Sequence, residues 1–183
     1  MLVATRPLTY EDIPTPPPDS GERYELIGGE IVVTAAPAPV HQRLALRLIR
    51  DVDAGVVQPG YGELFIAPTD VWLTPYDTVI PDLFVIATGS TAVVGDRYVQ
   101  GPPDLIVEIL SPSTKGRDRV RKAALYATHG VPEYWLVDPE TKSIAVLGLN
   151  NGRYEPMRQE PGVVRSALFP SLTVDLAVLF AGL

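Results

Sequence analysis

Cysteine is absent from the 183 residues. That excludes disulfides and any thiolate zinc site, and it suits a reducing cytoplasm, the expected location. No apolar run approaches the roughly 20 residues that a membrane helix needs, so no membrane partner is expected. The opening Met1-Leu2-Val3-Ala4-Thr5-Arg6 lacks the charged-then-apolar layout of a signal peptide. Basic charge is scarce: 15 Lys and Arg stand against 22 Asp and Glu, a net charge of -7. This counts against a protein that coats nucleic acid through bulk charge and does not exclude an enzyme that grips it locally. There is no Gly-rich phosphate loop, no Gly-x-Ser-x-Gly elbow, no zinc motif and no internal repeat.

What is present is enough apolar residue, 46%, for one sizeable core. The first 21 residues carry Pro7, Pro14, Pro16, Pro17 and Pro18 and are expected to form an extended arm. Residues 22–183 are expected to form a single domain. Gly28-Gly29 sits between two short apolar runs and predicts a hairpin over Tyr24–Thr34, with Glu25 and Glu30 as solvated flanking carboxylates. Leu44, Leu48 and Val52 repeat at four-residue spacing and predict a helix from Val40 to about Val57. His41 lies in its first turn, and Arg43, Arg47 and Arg50 cover much of its other side. Thr78–Ile86 is expected to be one strand, irregular at Pro81. Residues 88–100 are expected to be a loop or short helix. A helix is expected from about Lys115 to His129, stopped by Gly130 and Pro132. Strands follow at Tyr134–Asp138 and at Ser143–Leu149 with Arg153–Met157, paired across an Asn-Gly turn.

The strand around which the chain is organised is Leu105-Ile106-Val107-Glu108-Ile109-Leu110. It is apolar on both faces except for Glu108. A buried ionised carboxylate is costly unless a cation or donors meet it, so a metal ion, Lys122 on the following helix, or both should sit beside it. Lys122 and Asp118 are four residues apart on one helical face, which leaves a plain surface ion pair as the other reading. Lys115, Arg117, Arg119 and Arg121 form a local basic cluster next to this point, either a solvated face or a set of phosphate contacts.

Several stretches together resemble the Uma-two family of endonucleases, within the PD-(D/E)XK superfamily. They are Glu25-Leu26-Ile27-x-Gly29-Glu30-Ile31-Val32, His41, Pro81-Asp82-Leu83, the run Pro103–Thr114, Asp118-x-x-x-Lys122-x-x-x-Tyr126, and Gly130–Pro139. The resemblance implies a restriction-endonuclease-like α/β (α+β) fold, a mixed central sheet flanked by helices. It implies Asp82 and Glu108 as metal carboxylates, with the main-chain oxygen of Ile109 as a further ligand. Mg2+ is the expected ion, with Mn2+ as a substitute. Glu30 and His41 are accessory candidates. Nucleic acid, DNA first, is the expected substrate, and a homodimer the expected assembly. The chain departs from the superfamily pattern at Leu110, where a lysine usually stands two residues after the acid. Lys122 is the implied replacement. A nuclease-like module without chemistry is the competing reading.

Overall fold

The computed structural model describes residues 6–16, 20–111 and 117–183, the side chains of residues 117–119 excepted. In chain order the strands and helices are β1 (Arg23–Ile27), β2 (Glu30–Thr34), α1 (Pro39–Val52), β3 (Gly62–Ile66), β4 (Val71–Thr74), β5 (Asp77–Val79), β6 (Leu83–Ala87), β7 (Val93–Val94), β8 (Val99–Gln100), β9 (Leu105–Ile109), α2 (Arg117–Thr128), β10 (Glu133–Asp138), β11 (Ser143–Asn150), β12 (Arg153–Pro156), β13 (Val163–Arg165), β14 (Thr173–Asp175) and α3 (Leu176–Leu179).

Two mixed sheets organise these elements. The central sheet runs β12-β11-β10-β9-β6-β3 and the second runs β2-β1-β5-β4-β8-β7. Within the central sheet β9 and β10 are parallel, with Glu108 opposite Leu136. That parallel pair needs a crossover, and α2 supplies it. Strand alternation then sorts the core into two layers. Leu105, Val107, Ile109, Trp135 and Val137 point to one face and pack on Leu44, Leu48 and Val52 of α1 and on the C-terminal tail. Ile106, Leu110, Tyr134 and Leu136 point to the other and meet Tyr126 of α2 and Ile27, Val71 and Val79 of the second sheet. Glu108 belongs by parity to this second face. The result is the restriction-endonuclease-like arrangement, a mixed sheet with helices on both sides.

Thr78–Ile86 is not one strand. β5 lies in the second sheet and β6 in the central one. The break falls at Ile80-Pro81-Asp82, where proline has no N–H for a ladder. The chain changes sheets there, and this change sets Asp82 at the seam between them. Residues 88–100 contain two short strands, β7 and β8, rather than a helix. α1 itself ends at Val52, short of the expected Val57, and one π-type turn, Asp53–Val57, carries the winding on to that residue. α2 stops on Gly130, at φ +80°. The Val131 N–H bonds to the Tyr126 carbonyl at 3.0 Å and the Gly130 N–H to Ala127 at 3.2 Å, a Schellman closure. The arm lies against the hairpin and β4. The Leu8 N–H donates to the Gly29 carbonyl at 3.0 Å, and the Tyr10 hydroxyl to Asp70 at 2.9 Å.

Candidate active site

Three elements converge at the seam. β9 brings Glu108 and Ile109, the β5–β6 crossing brings Asp82, and α2 brings Lys122. Together with Arg23, Glu25 and His41 they line one cleft of about 190 Å3, floored by Ile80, Leu110 and Tyr134.

Asp82 is 7% exposed. Its Oδ1 accepts from Arg23 at 2.9 Å. Its Oδ2 pairs with His41 Nε2 at 2.9 Å and accepts the Ile109 N–H at 2.9 Å. Burial alone would raise this carboxyl, but the bonds and charge of His41, the Ile109 amide and Arg23 outweigh it. The carboxyl therefore sits below the ordinary aspartate range. The β6–β9 register pairs Leu83 with Val107, so extending it by two residues sets Pro81 opposite Ile109. Pro81 has no N–H to offer the Ile109 carbonyl; the Ile109 N–H is taken by the Asp82 side chain.

Glu108 Oε1 accepts from Lys122 Nζ at 3.0 Å and from the Tyr126 hydroxyl at 2.8 Å. Burial pushes its carboxyl up to about 7; the Lys122 charge pulls against this, and the charges of Asp82 and Glu25 add to it. The packing of α2 decides where Lys122 goes. Tyr126 is fully buried, one turn beyond Lys122, while Val120 on another face is 71% exposed. Lys122 therefore points inward rather than to water. Burial would lower its ammonium, but the charges of Glu108 and Glu25 raise it above the usual lysine value.

Glu25 is the participant that the sequence did not disclose. It is not a solvated hairpin carboxylate: it is 2% exposed. β1 lies inside the second sheet, between β2 and β5, and Glu25 shares its inward pleat with Ile27. Its Oε1 accepts the Ile80 N–H at 2.8 Å and meets Lys122 Nζ at 2.8 Å. Arg23, two residues earlier, stands outside every motif in the sequence. The available signal was parity with Ile27, too short a pattern to outweigh the usual exposure of Glu.

The other sequence candidates lie elsewhere. Glu30 is 73% exposed at its side chain and pairs with Arg121 at 2.9 Å, away from the cleft. Arg121 also donates to the Ile27 carbonyl, tying α2 to the hairpin. Lys115 lies outside the described residues, as do the side chains of Arg117 and Arg119. Arg47 donates to the Leu179 carbonyl at 2.6 Å and Arg43 to that of Gly182 at 3.2 Å, so these two hold the C-terminal tail. Asp104 accepts the Ala87 N–H at 2.8 Å beside the central sheet.

The donor set suits a hard divalent cation. Carboxylate and main-chain oxygens match Mg2+, which keeps several waters and needs few protein ligands. Among the described residues no three His, Asp or Glu side chains form a metal-holding group, so two carboxylates would be the protein's charged share. His41 Nδ1 is buried with no hydrogen-bond partner among the described residues.

A mixed sheet with paired acids and a lysine at the seam defines a restriction-endonuclease-like class of chain. The Uma2 family, described as "Putative restriction endonuclease", matches residues 8–178. The chain belongs to the Uma2 family, and by that family it is of nuclease type. It is 30% identical over 141 residues to an uncharacterized protein, sll1609, of Synechocystis sp. (strain ATCC 27184 / PCC 6803 / Kazusa), covering 75% of this chain and 79% of that one. Its fold is similar to the crystal structure of "a putative nuclease belonging to DUF820" from Anabaena variabilis ATCC 29413. The TM-score is 0.72 at 21% identity, over 90% of this chain and 93% of that one.

Proposed function

We propose that this protein is an endonuclease that hydrolyses phosphodiester bonds in DNA with the help of Mg2+, acting as a homodimer. The observation that carries the reading is the shared cleft: Asp82, Glu108 and Lys122 line one space although they come from three separate elements. Asp82 and Glu108 would hold the ion, with the Ile109 carbonyl beside them. When bound, the ion supplies charge against the scissile phosphate and acidifies a water for attack.

The chain's own groups do the rest. Lys122, held between Glu25 and Glu108, stays an ammonium. It therefore serves as a donor that orients the attacking water and meets charge developing on the phosphate, not as a base. Tyr126 and Lys122 fix the Glu108 carboxylate, and the Ile109 amide and His41 fix that of Asp82. Preorganised acids of this kind keep their geometry as the reaction proceeds. Arg121, Lys115, Arg117 and Arg119 are proposed to meet flanking phosphates.

The test is incubation of the pure protein with single-stranded, double-stranded and branched DNA and with RNA, in Mg2+ or Mn2+, beside Asp82→Ala and Glu108→Ala. Cleavage by the wild type and loss in both variants is expected. No cleavage of any substrate would end the reading. One observation favours the alternative of a catalytically silent binding module: Asp82, Glu108 and Glu25 already have protein cations as partners. Calorimetry separates the two, because a silent module takes no divalent ion at millimolar concentration.

A further inference from the structure

Arg23 carries an assignment that neither the sequence motifs nor the family description makes. It stands on β1, its side chain is 19% exposed, and it pairs with Asp82 Oδ1 at 2.9 Å. It lines the cleft, and it also lines a neighbouring cavity of about 310 Å3 between the arm and the second sheet, which includes Tyr10, Tyr24 and Arg97. Arg23 and Ile80 are the residues common to both. A ligand strand passing from one cavity to the other would cross the guanidinium.

The charges of the cleft bear on what Arg23 does there. Three carboxylates, Glu25, Asp82 and Glu108, face two permanent cations, Arg23 and Lys122. Lys122 is engaged by Glu25 and Glu108. Arg23 is engaged by Asp82 alone among the described residues. Asp82 Oδ2 already has two donors, so a cation joining this carboxylate competes first with Arg23 at Oδ1. Displacing a mostly buried arginine side chain from this carboxylate is unfavourable unless another anion takes its place. A phosphodiester does so well, because the planar fork matches phosphate oxygens.

We propose that Arg23 is a phosphate-positioning residue that alternates between Asp82 and the substrate phosphate, so that divalent-ion binding and nucleic-acid binding strengthen each other. This deepens the nuclease reading and rests on it. In the resting cleft Arg23 holds the place of the cation on Asp82. When an ion takes Asp82 Oδ1, the freed guanidinium takes a phosphate oxygen. By linkage the coupling is reciprocal: whatever the ion adds to phosphate affinity, the phosphate adds to ion affinity.

The test compares wild type, Arg23→Gln and Arg23→Lys, each checked for a cooperative melt. Ca2+ binding is measured by calorimetry without DNA. Binding of a fluorescein-labelled DNA duplex and of its single strand is measured by anisotropy, with and without Ca2+. Arg23→Gln is expected to bind Ca2+ more tightly than wild type, on the order of tenfold, because the competing cation is gone. The same variant is expected to bind DNA more weakly in Ca2+ and to lose most of the Ca2+-dependent gain. A merely structural arginine would weaken both. Arg23→Lys keeps the charge but not the fork: its Ca2+ affinity should stay near wild type while its DNA affinity in Ca2+ falls several-fold. If Arg23→Gln does not fold, this second variant decides, and unchanged DNA binding would overturn the proposal. Unchanged or weaker Ca2+ binding in a folded Arg23→Gln overturns it as well. No Ca2+ binding by the wild type would instead sink the nuclease reading, and this inference with it.

Discussion

Glu108 shows how a single carboxylate can govern the behaviour of the resting site. Its side chain is 12% exposed, and its carboxyl rises from 4.5 to about 7 in the fold. The folded state therefore holds a proton that the unfolded chain has released between those values. Stability should fall as pH rises from 4.5 to 7, by on the order of 3 kcal/mol from this group. Asp82 is shifted downward and acts only below the usual aspartate range; Lys122 is shifted upward and acts only in strong alkali. Urea melts of the metal-free protein across pH 4.5–7 check this, and Glu108→Gln should flatten the slope. Lys122→Ala, assayed for cleavage in Mg2+, should lower kcat about a hundredfold, the usual effect of losing one charge-stabilising donor. Glu108 and Lys122 were legible because a charge in an apolar strand demands an explanation. Glu25 and Arg23 were not, because alternation over five residues of hairpin does not say which pleat faces inward. That depends on β5 and α2, which are remote in sequence.

Among the elements, β9, α2 and β10 were legible with nearly correct ends, since Gly130 and Pro132 stop the helix and the strand pattern is uninterrupted. The Thr78–Ile86 segment was misread as one strand. Its apolar run is continuous, and Pro81 marks a break without saying that the two halves join different sheets. The tail of the chain is held by a different device. Glu133 at the start of β10 is 1% exposed. It accepts from Trp135 Nε1 at 2.6 Å, Ser166 Oγ at 3.1 Å, Ala167 N at 2.9 Å and Leu168 N at 3.2 Å. Glu133→Ala takes the acceptor from the Trp135 and Ala167 N–H groups and should destabilise by about 3 kcal/mol in denaturant melts, while cleft residues keep their places. Gly55, in the π-type turn, is a second such point. A Cβ there would stand 2.6 Å from Leu172 Cα and 2.9 Å from the Ser171 carbonyl. Gly55→Ala should therefore cost about 1–3 kcal/mol by forcing the tail away from the end of α1.

For the molecule as a whole, the acidic surface and the cleft make different demands. The net charge of -7 disfavours indiscriminate contact with nucleic acid, so attraction at the site has to be local. No helix among the described residues is long and apolar enough to cross a membrane. The two core layers leave the cleft at the seam between sheets, where backbone ladders end and their groups are free for side chains. A divalent ion that binds only the folded cleft should stabilise the whole domain, by about 2.7 kcal/mol at a hundredfold excess over its Kd. Asp82→Asn should abolish that shift. The most direct measurement is anomalous diffraction from crystals soaked in Mn2+. The account predicts one strong peak within coordination distance, about 2 Å, of both the Asp82 and Glu108 carboxylates, with Lys122 beside it. A peak elsewhere, or a soaked cleft in which Arg23 and Lys122 still hold both acids and no ion is bound, would contradict it.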